Sequence, residues 1–296
     1  MRRLAVIGVG LLGSAVAGRL LAAGFPVRGH DTRPDQLETL RARGLEPASS
    51  VAAAVRGAEA VFTVLPSLAS VEAVVLGPGG LVETAAPGTL VLQMSTISPP
   101  LTRTLGAAAT ARGLGFLDTP VSGTSRMVER GDCTIFVGGD AAQLIACRPI
   151  FDAIARRTVH VGAVGDATLA KLVTNLLVGL NTVAVAEALV LGQKGGLDPA
   201  RLLAVLRASA ADSRMLEVRG PLMVERRFEA QMKLDLFLKD FTLMLDEGLR
   251  AGSPLPLTAL ARELCESAVA AGRGGEDLAA VITAYERLAG IGGRGD

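Results

Sequence analysis

Histidine is nearly missing from this chain of 296 residues: only His30 and His160 occur, and both fall in segments that read as strands. Acid–base chemistry carried out here therefore rests on another residue type. Cysteine is almost as scarce. Cys133, Cys147 and Cys265 are odd in number and far apart, which gives neither a metal-ligand spacing nor a disulfide framework. The expectation is no metal site and a reducing, cytoplasmic setting. A charge excess is lacking too: 30 basic and 29 acidic residues leave +1, without the basic face that a nucleic-acid partner requires. No tandem repeat or low-complexity tract is present. Apolar residues, in contrast, make up 50% of the chain, enough for a large core and buried subunit contacts, and the length suggests about two domains.

The most informative segment lies near the start. Leu4-Ala5-Val6-Ile7 runs into Gly8-Val9-Gly10-Leu11-Leu12-Gly13, and an apolar stretch resumes at Ala15. This reads as a buried strand, a tight turn and a helix beginning at the turn. Gly8 permits the turn, Gly10 lets backbone approach a pyrophosphate, and Gly13 lets helix pack closely on strand. The free N–H groups and positive dipole end of the helix would face the phosphates. A second strand ends at Asp31, 18 residues after Gly13, where an acid binds the adenosine ribose hydroxyls. Met1-Arg2-Arg3 followed by an uncharged stretch also resembles a secretory signal. Signal cores are Leu-rich helices, however, and three glycines at these spacings weaken one.

Strand-like runs recur at 59–65, 88–94, 114–118, 133–137 and 158–161, separated by helical or turn-rich segments including 34–43 and 100–111. That alternation predicts a doubly wound, mostly parallel sheet. Beyond Asp166 only helical stretches follow, at about 166–194, 199–210, 231–251 and 256–271. The expected domains are thus 1–164, binding a dinucleotide, and 165–296, all-helical. Asp166 is the expected N-cap of the first long helix. Residues 172–186 of that helix carry no charge; 15 residues do not make a membrane span, and burial by both domains or by a second subunit explains them. The terminal Arg294-Gly295-Asp296 resembles an adhesion motif on what reads as a frayed tail.

Ligands of open α/β sheets bind beyond the carboxyl ends of strands. Leu65-Pro66, Ser95-Thr96 and Pro120-Val121-Ser122-Gly123 follow such ends. The last segment reads either as an ordinary turn, the commoner case, or as a ring of donors around a carboxylate. Lys171 lies one turn into the long apolar helix, with Asn175 four residues later on the same face. It is either a lysine that snorkels to water or one that loses hydration, with a lowered pKa suited to proton exchange. Lys239-Asp240 reads as solvated surface.

These segments together resemble the β-hydroxyacid dehydrogenase family, which includes 3-hydroxyisobutyrate dehydrogenases and tartronate semialdehyde reductases. The resemblance runs essentially end to end: the loop 8–13, Met94-Ser95-Thr96-Ile97-Ser98-Pro99, Asp118-Thr119-Pro120-Val121-Ser122-Gly123, the run 131–139, Lys171 with Asn175, and Lys239-Asp240. It implies a Rossmann-type doubly wound α/β domain joined by a long interdomain helix to an all-α domain that helps form homodimers or homotetramers. It implies Lys171 as catalytic acid–base assisted by Asn175, and Ser122, Gly123 and Thr124 as substrate anchors. Thr96 and Lys239 fall by the nicotinamide end, and Leu65-Pro66 along the cofactor. Three positions depart from the family pattern: Thr124 replaces a second glycine, Ala167 a glycine ahead of the lysine, and Arg126 a small residue in the substrate loop.

The implied reaction is the NAD-dependent interconversion of a short, anionic 3-hydroxy acid and its semialdehyde, with NADP the less favoured cofactor because Asp31 repels a 2′-phosphate. No nucleic acid or membrane partner is expected. The alternatives are an imine reductase, against which Lys171 argues, a succinic semialdehyde- or glyoxylate-type reductase, and a non-catalytic cofactor-bound scaffold. A decarboxylating sugar-phosphate dehydrogenase ordinarily has a much larger helical domain.

Overall fold

The computed structural model describes residues 3–291; Met1, Arg2 and the tail at 292–296, including Arg294-Gly295-Asp296, lie outside the described residues. The chain forms two compact units, Met1–Lys171 and Leu172–Asp296.

Among its described residues the first unit holds nine strands: β1 (Leu4–Ile7), β2 (Val27–His30), β3 (Glu46–Pro47), β4 (Ala60–Thr63), β5 (Leu90–Gln93), β6 (Gly115–Asp118), β7 (Val121–Ser122), β8 (Thr134–Gly139) and β9 (Arg157–Gly162). Its helices are α1 (Leu11–Ala22), α2 (Asp35–Arg41), α3 (Val51–Val55), α4 (Leu68–Leu76), α5 (Leu81–Thr84), α6 (Pro99–Ala111), α7 (Ser125–Glu129), α8 (Ala141–Ile154) and the start of α9 (Asp166–Lys194). Six parallel strands lie in the order β3-β2-β1-β4-β5-β6, the arrangement of a Rossmann-type fold. β8 then runs antiparallel to β6 and β7, and β9 pairs parallel to β8.

Alternation along the strands explains why both faces are covered. Leu4, Val6, Phe62, Leu92 and Leu117 face a core built with Val16, Leu20, Leu40, Ile150 and Phe151. Their neighbours Ala5, Ile7, Val61, Val91 and Phe116 face the opposite core with Val55, Val71, Val75 and Leu105. The buried runs read as continuous apolar sequence because neither face meets water.

Asp166 is not the N-cap of α9. It is the first helical residue, and its carboxylate turns back to accept from the Ala163 N–H at 2.8 Å. The cap comes from β6: Asp118 Oδ2 accepts from Gly165 N–H at 3.1 Å and Thr168 N–H at 2.7 Å. Reading along the chain does not reveal a cap supplied from 50 residues away. The helix runs 29 residues, longer than its 15-residue uncharged stretch, and is long and apolar enough to cross a membrane by length and composition. Protein nevertheless covers Leu172, Asn175, Thr182, Ala186 and Leu189 along it.

The second unit continues with α10 (Pro199–Arg207), α11 (Arg214–Val224), α12 (Leu234–Ala251), α13 (Pro256–Ala268) and α14 (Ile282–Leu288). The sequence pattern did not predict α11, whose Gly220-Pro221 reads as a break. Ser213 caps it by accepting from Leu216 N–H, and burial of Leu216, Leu222 and Met223 holds it. Strand pairing among the described residues of this unit is one isolated bridge, Lys233 with Asp277.

Asp277 is the unit's central polar tie. Its carboxylate accepts from Arg219 Nε at 3.2 Å and from the N–H groups of Gln231, Met232 and Ala279, and both charged side chains are almost fully buried. Removing one partner leaves the other as an uncompensated buried charge. Asp277→Ala is therefore expected to lower the unfolding free energy by about 3–5 kcal/mol, read by urea denaturation; a loss below about 1 kcal/mol would show that the pair contributes little.

Candidate functional site

At the end of β1, Gly8 adopts φ +91°, and a Cβ there would sit 2.2 Å from the Val64 carbonyl oxygen. A Cβ on Gly13 would lie 1.9 Å from the Gly8 carbonyl oxygen. Both positions exclude any side chain, so β1, β4 and α1 meet through bare backbone. Gly10 differs: a Cβ there would meet only the Arg33 guanidinium, 3.9 Å away, so the space over it is open. Gly10 is the N-cap of α1, provides no side-chain cap, and no acidic residue occupies the first turn. The first N–H groups of α1 are thus uncapped by side chains, at a helix end whose dipole favours an anion. Leu11 is exposed at this end, whereas Leu12 packs against the core.

Asp31, just beyond β2, accepts from Val9 N–H at 2.8 Å through Oδ2 and from Arg33 N–H at 2.9 Å through Oδ1. Its side chain is thus tied to the glycine turn. The Arg33 guanidinium, 62% exposed, lies 3.6 Å from the same carboxylate.

A buried network that the sequence reading missed fixes the loops after β4 and β5. Gln93 Oε1 accepts from Ser95 N–H and from the Thr63 hydroxyl, while its Nε2 donates to the Ser95 carbonyl. Ser95 Oγ in turn accepts from Leu65 N–H at 2.8 Å. Leu65 is thereby held half-buried and Pro66 exposed, and Thr96, half-buried, follows directly. A buried glutamine at a strand end carries no signature by itself, because its partners lie on neighbouring strands.

Beyond β6, Thr119 donates its N–H and its hydroxyl to the Gln93 carbonyl. Ser122 is half-buried in β7. Gly123 has φ +149°, and a Cβ would lie 3.0 Å from the Cys133 Cβ, so a side chain beside the serine would be strained. Thr124 is the N-cap of α7, its Oγ1 accepting from Met127 N–H at 3.3 Å. That contact gives the threonine a structural task while leaving its hydroxyl hydrogen available. Arg126 follows in α7 and is exposed. Burial pushes the Asp118 carboxyl up to about 6, against the lowering effect of its bonds from Thr168 and Gly165.

Lys171 and Asn175 stand four residues apart on α9, 6% and 2% exposed respectively. Within the second unit, Asn175 Nδ2 donates to Asp240 Oδ2 at 2.7 Å. Lys239 Nζ lies 3.2 Å from Asp240 Oδ1. Asp240 is only 4% exposed, which corrects the reading of Lys239-Asp240 as solvated surface. α12 turns Phe237, Asp240, Phe241 and Met244 inward, a helical stripe in which the aspartate takes a core position with the amide of Asn175 on one oxygen and the ammonium of Lys239 by the other. The bond also assigns the amide: Nδ2 faces Asp240, leaving Oδ1 as Asn175's acceptor.

Two placements result. The loop 8–13, Asp31, Leu65-Pro66, Thr96 and Ser122 to Thr124 follow the carboxyl ends of successive strands of the first unit. Asn175, Asp240 and Lys239 form a polar cluster in the second. Among the described residues no group of three or more His, Cys, Asp or Glu could hold a metal ion.

Residues 3–162 match the family model for the NAD-binding domain of 6-phosphogluconate dehydrogenase. Residues 165–285 match the model for the NAD-binding region of NADP-dependent 3-hydroxyisobutyrate dehydrogenase. The chain is 33% identical over 290 residues to 2-(hydroxymethyl)glutarate dehydrogenase of Eubacterium barkeri, covering 98% of this chain and 96% of that protein. It is 33% identical over 289 residues to 2-hydroxy-3-oxopropionate reductase of Escherichia coli K12, covering 97% and 98%. A crystal structure of 3-hydroxyisobutyrate dehydrogenase from Salmonella typhimurium superposes with a TM-score of 0.88 at 30% identity, covering 96% of this chain and 99% of that one.

Proposed function

The chain belongs to the β-hydroxyacid dehydrogenase family and is an oxidoreductase acting on CH–OH groups; from that premise we propose that it interconverts a short 3-hydroxy acid and its semialdehyde, with Lys171 as proton carrier and NAD as the preferred cofactor. Bound NAD supplies the hydride acceptor at nicotinamide C4. The open space over Gly10 and the uncapped first turn of α1 suit its pyrophosphate, and Asp31 suits the ribose hydroxyls. The observation that carries the reading is Lys171, buried on α9 one helical turn before an asparagine whose amide is already fixed by Asp240.

In oxidation, neutral Lys171 takes the hydroxyl proton as the carbon bearing it gives up hydride. In reduction, the Lys171 ammonium returns that proton to the alkoxide and stabilises its charge meanwhile. Asn175 orients the reacting oxygen. Ser122 and the backbone at Gly123 hold the substrate carboxylate, and Thr124 contributes its remaining hydroxyl hydrogen. Thr96 and Lys239 border the nicotinamide, and Leu65-Pro66 flank the cofactor.

Lys171→Ala is expected to lower kcat by about 10²–10⁴ while cofactor affinity, measured by titration of the folded variant, stays near wild type. Lys171→Arg should not restore turnover, since a guanidinium remains charged and cannot act as base. Retention of more than about a tenth of kcat in Lys171→Ala would remove the lysine from the reaction.

Asp31 disfavours a 2′-phosphate by charge, and Arg33 at 3.6 Å partly offsets it. The expected result is a modest preference for NAD over NADP in kcat/KM with one substrate; equal or greater efficiency with NADP contradicts the assignment.

Leu169, Val173, Leu177 and Leu191 leave an exposed apolar stripe along α9. Covering it with the same surface of a second copy makes the protein a homodimer, or a homotetramer with a further interface. Light scattering at micromolar concentration should give at least the dimer mass; a stable monomer would refute this.

A further inference from the structure

Asp118 takes no part in the chemistry proposed above, yet it fixes the end of the helix that bears Lys171. Its Oδ2 holds the Gly165 and Thr168 N–H groups, and its Oδ1 accepts from the Thr168 hydroxyl at 2.7 Å. The Thr168 Oγ1 lies 3.1 Å from the Thr102 Oγ1, which donates to the Ser98 carbonyl at 3.1 Å. Asp118, Thr168 and Thr102 are all buried. The chain therefore joins three elements: the end of β6, which opens the segment to Ser122; the first turn of α9; and the first turn of α6, which follows Thr96. Lys171 comes three residues after Thr168, within one turn of the helix.

We infer that Asp118 is a positioning residue, setting the register of the first turn of α9 against β6 and thereby the placement of Lys171. The inference rests on the reading of Lys171 as proton carrier. Other features agree with it. The helix has no cap of its own, because Asp166 bonds backwards to Ala163. There is also little slack at this join: a Cβ on Gly138 of β8 would lie 2.5 Å from the Ala163 carbonyl oxygen and 3.2 Å from the Ala167 nitrogen. An apolar side chain would be the cheaper occupant of a buried site, but it could not hold two backbone N–H groups and a hydroxyl.

The Thr168 hydroxyl can also turn round, because Thr102 already donates to Ser98 and can accept from Thr168. With a donor at the Oδ1 position, that donor serves Thr168 Oγ1, the Thr168 hydroxyl serves Thr102, and Thr102 serves Ser98. An asparagine at 118 can thus keep every bond, its oxygen on the two N–H groups and its amide on Thr168. Alanine loses them all. Thr168→Val loses only the hydroxyl, and Thr168→Ser keeps it.

The test measures kcat, KM, cofactor affinity by titration, and hydrogen exchange of the amides at 168–171 in these four variants and in Lys171→Ala. Asp118→Ala and Thr168→Val are expected to lose about 10- to 100-fold in kcat through misplacement of the lysine, with cofactor affinity unchanged and faster exchange at 168–171. Asp118→Asn and Thr168→Ser are expected to stay within about threefold of wild type. If Asp118→Ala does not fold, the Thr168 pair decides the matter. Near-normal kcat in Asp118→Ala or Thr168→Val, beside an inactive Lys171→Ala, overturns this inference alone. So does a loss in Asp118→Asn as large as that in Asp118→Ala. Turnover retained by Lys171→Ala instead overturns the proton-carrier reading.

Discussion

The carboxyl edge of the sheet is organised around one steric fact: the Gly8 carbonyl occupies the place where a Cβ of residue 13 would stand. Two glycines allow strand and helix to touch backbone to backbone, and the neighbouring loops are then tied together by hydrogen bonds. Asp31 reaches Val9, Val64 donates to the Ile7 carbonyl, and Leu65 reaches Ser95. Thr119 reaches Gln93, and Asp118 reaches Thr168. From β2 to α9, each loop at this edge is thus held by the next strand's polar groups as well as by its own turn. A rigid edge of this kind suits a reaction in which placement matters more than reactivity of the side chains.

Much of this was legible because it is periodic or local. The β1 glycine loop, the alternation of strands with helices and the switch to helices after Asp166 all leave marks within a dozen residues. The α9 bounds, 166–194, follow from a long helical stretch with an uncharged middle at 172–186, and Gly195-Gly196 lie just past its end. What escaped is non-local. Asp118 caps a helix from another element, Gln93 braces two loops from a strand end, and Asp240 becomes a core residue through Asn175, 65 positions earlier. α11 was hidden for a different reason: Pro221 lies inside it, and local propensity argues for a break that tertiary packing overrides. Polar residues buried by partners distant in sequence look, in one dimension, like ordinary surface.

α9 combines two demands that usually separate. Its buried polar positions, Thr168, Lys171, Asn175 and Thr182, need partners with defined geometry, which favours a stiff, well-capped helix. Its outward apolar residues add nothing to the stability of a lone chain in water. Carrying both on one helix means that a substitution on the outward face can alter the buried face through the helix backbone, without a contact between the two residues.

The three thiols offer a different kind of consequence. Cys133, Cys147 and Cys265 are all buried, and burial pushes Cys133 up to about 11 and Cys265 up to about 12. At Cys133 and Cys265 thiolate is therefore scarce at neutral pH even before access is considered, and burial shields all three sulfurs from alkylating reagents and peroxide while the fold is closed. Because Cys133 and Cys147 belong to one unit and Cys265 to the other, the residue labelled first reveals which unit opens first. The chain carries its own clock for local unfolding, with one hand in each half.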